Sequence, residues 1–353
     1  MNVNLKGMGP HEMESWCVRH GFEAYRGRQI RHWIYKRLAA SFEEMSNLPK
    51  PFIALLEKKA VVDALEKVKV LVSQDGTQKY LFRLKDGYLI ESVLIPERDH
   101  FTICVSSQAG CAMGCRFCLT ARQGFKRNLT VAEIVDQVIQ VKRSIKDPDR
   151  LNNIVFMGMG EPLQNYDAVV RAMKDLISEE GMNFSHRKVT LSTCGIVPGI
   201  RQMGQDIAVN LAVSLNATDD KTRNFLMPIN RKYPLKRLLS VCKKIPLPNR
   251  RMITFEYILI KGVNDTDQDA KRLCGLLSGI RAKINLIPLN PNLDMDLIPT
   301  PMQRITHFQK IILDNNVTAI IRKSKGRDIM AACGQLSGEY ANKGSKTEFK
   351  DER

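Results

Sequence analysis

The chain has 353 residues, enough for two domains or for one large domain with an appendage at roughly 150 residues per domain. Hydrophobic residues make up 44% and charged residues 26%, a globular composition, and no apolar run approaches the roughly 18 residues of a membrane span, which excludes fibrous, disordered and membrane-spanning classes. An excess of 54 Lys+Arg over 37 Asp+Glu gives a formal charge of +17, which attracts polyanions and makes nucleic acid the leading partner class.

Residues 8–65 read as helical, because Ile30, Trp33, Ile34 and Leu38 recur on one face and no strand alternation competes. Arg26, Arg28, Arg31, Lys36 and Arg37 are basic positions available to phosphates or to a solvated face, and Trp33 is assigned to the core. Three β-rich runs follow, VKVLVSQ, TQKYLFRL and YLIESVLI, with Asp75-Gly76 and Asp86-Gly87 in the gaps, the turn chemistry of tight hairpins. This β-meander is expected to connect two domains.

From residue 101 six short β-prone runs, FTICVSS, NIVFMGM, KVTLST, NLAVSL, ITFEYILI and INLIPLN, alternate with amphipathic helices. Six strand-then-helix units imply an α/β fold with a parallel sheet, and chemistry-bearing residues at several strand ends favour a partial (β/α)6 barrel. In the first helix Thr130 and Glu133 form a capping box, and Val131, Ile134, Val135, Val138 and Ile139 form the buried stripe. The expected division is 1–65, a helical and RNA-binding accessory domain; 66–100, the connector; 101–340, the barrel with a C-terminal extension; and 341–353, a flexible tail.

Nine cysteines without an export signal argue against a disulfide scaffold. Cys111, Cys115 and Cys118 follow the first barrel strand, with Gly110 and Gly114 letting the loop wrap a bulky group. Three thiolates at this spacing suit an iron–sulfur cluster better than structural zinc, which normally takes four closed ligands. A [4Fe–4S] cube on three cysteines leaves one iron open to chelate the amino and carboxylate groups of S-adenosylmethionine. Reductive cleavage of that cofactor generates a carbon radical able to attack an unreactive C–H bond. In this triad the chain resembles the radical S-adenosylmethionine superfamily. Met157-Gly158-Met159-Gly160-Glu161-Pro162 supports this, with glycines for close approach and Glu161 for a ligand amine.

The segments SSQAGCAMGCRFCLTARQGFKRNLT, FMGMGEPL, LSTCGIVP, LMPIN, EYILIKGVND, LIPLNP and RDIMAACGQL run in order across residues 106–336. Together they resemble the RlmN-type dual-specificity RNA methyltransferases. That resemblance implies methylation of adenine C2 in 23S rRNA at the peptidyl-transferase centre and in tRNA beside the anticodon. It also implies one [4Fe–4S] cluster, two molecules of S-adenosylmethionine per methylation, and an external one-electron donor such as a flavodoxin or ferredoxin-like protein. By motif match Cys333 is the S-methylcysteine intermediate. Cys104 is the resolving cysteine, forming a transient disulfide with Cys333, and Glu91 accepts the C2 proton from an apolar setting. Cofactor contacts carried over in the same way are Gly160, Glu161, Ser192, Ser214, Leu215, Asn216 and Asn290, although Asn216 stands where many relatives have histidine. Arg322, Lys323, Lys325 and Arg327 are candidates for RNA phosphates. Cys17, Cys242 and Cys274 are assigned to cores, and Cys194 has no role. A cytoplasmic location is expected from the RNA substrate, the oxygen-sensitive cluster and the missing export signal.

Two rivals stay open. A Cfr-type enzyme would methylate C8 of the same adenine, although Thr120-Ala121-Arg122-Gln123-Gly124 matches the C2 enzymes better. A non-catalytic RNA-binding protein with an iron–sulfur cluster would explain the charge and the triad but leave Cys104, Cys333 and Glu91 idle.

Overall fold

The computed structural model describes residues 2–248, 250–290 and 296–337; the expected tail at 341–353 lies outside them. The N-terminal part runs β1 (Val3–Asn4), α1 (Pro10–Arg19), α2 (Tyr25–Tyr35), α3 (Lys50–Lys59) and β2 (Ala60–Val61), with β1 and β2 pairing in parallel. Next come β3 (Glu66–Val72), β4 (Gln78–Arg83), β5 (Leu89–Pro96) and β6 (Phe101–Cys104), then a small hairpin of β7 (Gln108–Gly110) and β8 (Phe125–Asn128) enclosing α4 (Leu119–Arg122). The remainder is α5 (Val131–Ser144), β9 (Leu151–Phe156), α6 (Tyr166–Ile177), β10 (Val189–Thr193), α7 (Val197–Asp206), β11 (Asn210–Ser214), α8 (Asp220–Leu226), α9 (Leu235–Lys244), β12 (Ile253–Leu259), α10 (Asp267–Leu276), β13 (Ala282–Pro288), α11 (Met302–Asp314) and β14 (Ala319–Ile321).

One ten-stranded sheet organises the molecule, in the order β14-β13-β12-β11-β10-β9-β6-β5-β4-β3. From β6 to β14 every pairing is parallel, and from β6 back to β3 every pairing is antiparallel. The α/β reading holds, with a partial barrel that has free edges at β3 and β14. Two details differ from the sequence reading. A seventh parallel strand, β14, has only three residues, too few to give a periodic signal. The meander extends the barrel sheet because β5 finds β6 as an antiparallel neighbour.

Helix α5 shows how sequence becomes position. Thr130 accepts from Glu133 N while Glu133 reaches back to Thr130 N, closing the capping box, and Val131, Ile134, Val135, Val138 and Ile139 are all buried. Its inner face also carries Asp136, fully buried, whose carboxylate pairs with the buried Lys6 and accepts from Ala64 N and Leu65 N. Arg31, expected on the basic face, is instead 2% exposed and pairs with Asp175 of α6 at 2.7 Å. Arg143 adds bonds to Asp63 and to the carbonyls of Leu38 and Ala39. Buried charges are tolerated only when paired and hydrogen-bonded, so these pairs fix the N-terminal helices against α5 and α6.

Candidate active site

The C-terminal ends of the parallel strands surround one open-mouthed cavity, the concave setting in which small-molecule sites are found. Its lining includes Cys111, Cys115, Cys118, Gly160, Glu161, Ser192, Ser214, Asn216 and Cys333, residues drawn from segments up to 222 positions apart in the chain. Cys104, Glu91, Leu215 and Asn290 lie outside the lining.

The cysteine loop is shaped locally. Cys111 N donates to Gly124 O across the β7–β8 hairpin, and Cys118 N donates to Cys115 O. Burial pushes the Cys111 thiol up to about 12 and Cys115 well above its ordinary value, and the charges of the neighbouring cysteines push in the same direction. Thiols raised in this way, as Cys111 and Cys115 are, stay protonated unless a strongly cationic partner favours the thiolates. An iron–sulfur cluster supplies one, and the all-thiol donor set fits it. Among the described residues no three His, Cys, Asp or Glu side chains enclose a single metal ion. A cube instead takes each thiolate to a different iron.

Opposite the triad, Gly160 has φ +101°, and a Cβ there would lie 2.5 Å from Gln108 Cβ, so only glycine lets the turn after β9 approach. Glu161 is buried. Its carboxylate accepts from Cys194 N at 2.7 Å and Leu163 N at 3.1 Å, while burial raises its proton affinity. An ammonium group in the cavity would find this carboxylate already oriented. Asn216, at φ +58°, accepts from Ile258 N through its amide oxygen and donates to Met227 Sδ, so its side chain builds the wall. Leu215 joins neighbouring peptides, donating from N to Glu256 O and accepting from Arg223 Nε.

Two lining features escaped the sequence reading. Cys194, left without a role, has its thiol hydrogen-bonded to Glu161 beside the triad. Arg223 is fully buried behind the cavity, donating to the carbonyls of Cys194, Ser214 and Leu215. It ties the ends of β10 and β11 together, and its charge favours the Cys115 thiolate. No periodic signal marks an arginine inside a seven-residue helix.

Cys333 sits on a turn laid across the triad. Leu119 N donates to Gly334 O at 2.8 Å and Thr120 Oγ1 to Leu336 O at 2.7 Å. Asn290 donates to Cys333 O at 3.1 Å and accepts from Arg327 Nε, so Asn290 and Arg327 brace the turn. Cys333 is an exposed residue that lines the cavity, and desolvation there pushes its thiol up to about 12. Cys104, at the end of β6, is buried and likewise raised to about 12, with the charge of Cys333 contributing; both are free thiols. Glu91 does not occupy an apolar setting. It is buried in an ion pair with Lys79 at 3.0 Å and accepts from Ser337 N at 2.8 Å, and Lys79 donates to Met330 O. The meander thus holds the Cys333 turn in place.

Comparison with known proteins gives a consistent picture. Residues 105–274 match the Radical SAM superfamily, and residues 3–62 match the Ribosomal RNA large subunit methyltransferase N-terminal domain. The dual-specificity RNA methyltransferase RlmN of Geobacter sulfurreducens is 51% identical over 337 residues, covering 96% of this chain and 92% of that protein. Its counterpart from Geotalea uraniireducens is 52% identical over 336 residues, covering 95% and 97%. The crystal structure of a radical SAM methyltransferase from Sphaerobacter thermophilus aligns with a TM-score of 0.92 at 44% identity, covering 96% of this chain and all of that one.

Proposed function

Since the chain belongs to the RlmN family of radical SAM RNA methyltransferases, we propose that it methylates C2 of adenine in 23S rRNA and in tRNA through a methylated Cys333. The family implies a [4Fe–4S] cluster and S-adenosylmethionine. When bound, this pair supplies a methyl group and a carbon-centred radical; one cluster per chain and two cofactor molecules per methylation are part of the proposal.

Cys111, Cys115 and Cys118 hold the cluster. Gly160 and Glu161 receive the cofactor's amino group, Ser192, Ser214 and Asn216 complete its surroundings, and Leu215 and Asn290 support these contacts from outside the lining. Cys333 carries the methyl group to the base. Glu91 accepts the proton leaving C2, and Cys104 pairs with Cys333 to free the product from a transient protein–RNA crosslink. Residues 1–65 form the accessory RNA-binding part, 66–100 the connector and 101–340 the catalytic part. The electron donor is a flavodoxin or ferredoxin-like protein, and the reaction takes place in the cytoplasm.

The observation that supports this reading most strongly is that Cys333 faces the cavity lined by the triad, with Cys104 in electrostatic reach behind it. A cluster used only as a structural element needs neither thiol. The test is product analysis: digestion of treated rRNA and tRNA should release 2-methyladenosine. Methyl at C8 would make this a Cfr-type enzyme, and no methylation under anaerobic, reducing conditions would return the RNA-binding alternative. Cys104→Ala should accumulate protein with ribonuclease-sensitive RNA attached, whereas normal turnover without attached RNA removes Cys104 from the reaction.

A further inference from the structure

The mechanism above leaves one buried carboxylate in the cavity without a task. Glu256 stands at the middle of β12, 7% exposed, and lines the cavity with Cys333 and the cluster triad. Its Oε1 accepts from Asn285 Nδ2 at 2.9 Å; among the described residues its Oε2 has no hydrogen-bond partner and no Lys, Arg or His lies within ion-pair distance. A carboxylate this deep in a sheet normally has a cation beside it. The nearest charges here are more distant, Arg322 and Lys283 on the cationic side and Cys333 on the cavity side.

Relay chemistry supplies a reason for such a group. To take a methyl group from a sulfonium, Cys333 must act as a thiolate, yet burial, the charge of Cys118 and the charge of Glu256 keep its thiol protonated. A cavity-lining nucleophile held in its neutral form needs a base with a free lone pair in the same cavity. Glu91 is occupied by Lys79 and Ser337 N, and Glu161 by Cys194 and Leu163. Glu256 is the cavity carboxylate with an oxygen to spare.

We propose that Glu256 is the general base that activates Cys333 for its own methylation, an inference that rests on the relay reading above. The Cys333 thiol gives its proton to Glu256 Oε2, directly or through one water, as the sulfur forms a bond to the methyl carbon of S-adenosylmethionine. The bond between that carbon and the sulfonium breaks, and its electron pair stays on the departing S-adenosylhomocysteine. The positive sulfonium, the negative carboxylate and the neutral thiol are converted into a neutral thioether on Cys333, a neutral thioether leaving group and a protonated Glu256, so charge and atoms balance. Burial raises the Glu256 carboxyl to about 7, where a group both accepts and releases a proton near neutral pH. Asn285 fixes the carboxylate so that the free oxygen stays toward the cavity.

Glu256→Gln keeps the acceptor for Asn285 and removes the base. Cluster-loaded protein is mixed with S-adenosylmethionine without RNA, and the methyl group on the Cys333 peptide is followed in a single turnover by mass spectrometry. Cluster absorbance and cofactor binding are measured on the same samples. In a parallel arm without cofactor, iodoacetamide alkylation of Cys333 reports the nucleophile independently of methyl transfer. The expected result is a normal cluster, normal cofactor binding, and methylation and alkylation both slowed by about 100-fold or more, the usual contribution of a positioned base. Wild-type rates in Glu256→Gln would overturn the assignment while leaving Cys333 as the relay. Loss of cofactor binding in Glu256→Gln would make Glu256 a cofactor ligand and overturn its role as base. A wild-type protein methylated on a different cysteine would overturn the relay reading itself, and this inference with it.

Discussion

The loop carrying Cys111, Cys115 and Cys118 and the turn carrying Cys333 face one cavity but are built in opposite ways. The loop is closed chiefly within its own hairpin, through Cys111 N to Gly124 O and Cys118 N to Cys115 O, with Arg116 N to Leu226 O as a bond to a distant segment. Besides Asn290, the turn is held by residues more than 200 positions away: Thr120 on Leu336, Lys79 on Met330, Glu91 on Ser337, Asp75 on Gly326, and Ser73 on Asp328. Each of those bonds is a single hydrogen bond whose net contribution in water is small. A cluster demands three fixed ligands at once, whereas the Cys333 turn rests on a sum of small terms that can loosen singly. Under the proposed relay Cys333 would have to reach an RNA base, and the second construction suits that task.

The sharpest break in this comparison is at the triad. Cys111→Ala, Cys115→Ala or Cys118→Ala should each abolish both the cluster's visible absorbance and cofactor cleavage. The Cys333 turn should stay docked, because its bonds to Leu119 and Thr120 use backbone and hydroxyl groups rather than thiols. Retention of a full cluster after replacement of all three would remove the assignment.

The same contrast explains what the sequence made legible. The triad, the glycine turn at Gly160 and the capping box at Thr130 are local patterns whose spacing is the geometry, so they can be read from one segment. The Lys79–Glu91 pair joins two neighbouring strands, but its neighbours Met330 and Ser337 lie on a segment that no local pattern connects to the meander. Arg31 illustrates the error this causes. On its own helix it belongs to a basic face, and only the arrival of Asp175 from α6 turns it inward. Glu256 sits in a strand whose other residues are mostly apolar, and nothing in ITFEYIL distinguishes a cavity-facing carboxylate from one turned to solvent.

A smaller effect is expected where the turn meets the meander. Lys79→Met leaves Glu91 buried with no cation, which should lower stability by about 3–5 kcal/mol. Lys79→Arg should restore most of it, and the Lys79→Met, Glu91→Gln double variant should be more stable than Lys79→Met alone. Thermal unfolding of the four proteins checks this, with cluster content per folded chain as the control. A loss below about 1 kcal/mol for Lys79→Met would mean that the pair does not brace the turn.

The smallest effect concerns the outer clasp, where Asp75 and Asp328 hold the start of the turn. Asp75 accepts from Gly326 N and Thr77 N, and Asp328 accepts from Ser73 Oγ and Gln74 N. Burial works against the Asp75 charge, but hydrogen bonds from Thr77, Gly326 and Ser73 outweigh it and hold the carboxyl at about 2. The hydrogen bond from Ser73, followed by that from Gln74, also holds Asp328 below its ordinary value. A carboxyl depressed in the folded state stabilises that state above its unfolded value, near 4, and the contribution disappears as pH falls through the folded value. Amide protection across residues 326–337, normalised to intrinsic exchange, should therefore be steady above pH 5 and decline between pH 4 and 2. Protection in β9 to β13 should change less, because the clasp bonds lie outside those strands. Both carboxylates are solvent-exposed, which keeps the change modest. Asp75→Asn should show reduced protection of the turn already at pH 6 and a weaker decline below pH 4. Equal protection in Asp75→Asn and wild type at pH 6 would show that the turn is held by the inner bonds to Thr120, Lys79 and Glu91 alone.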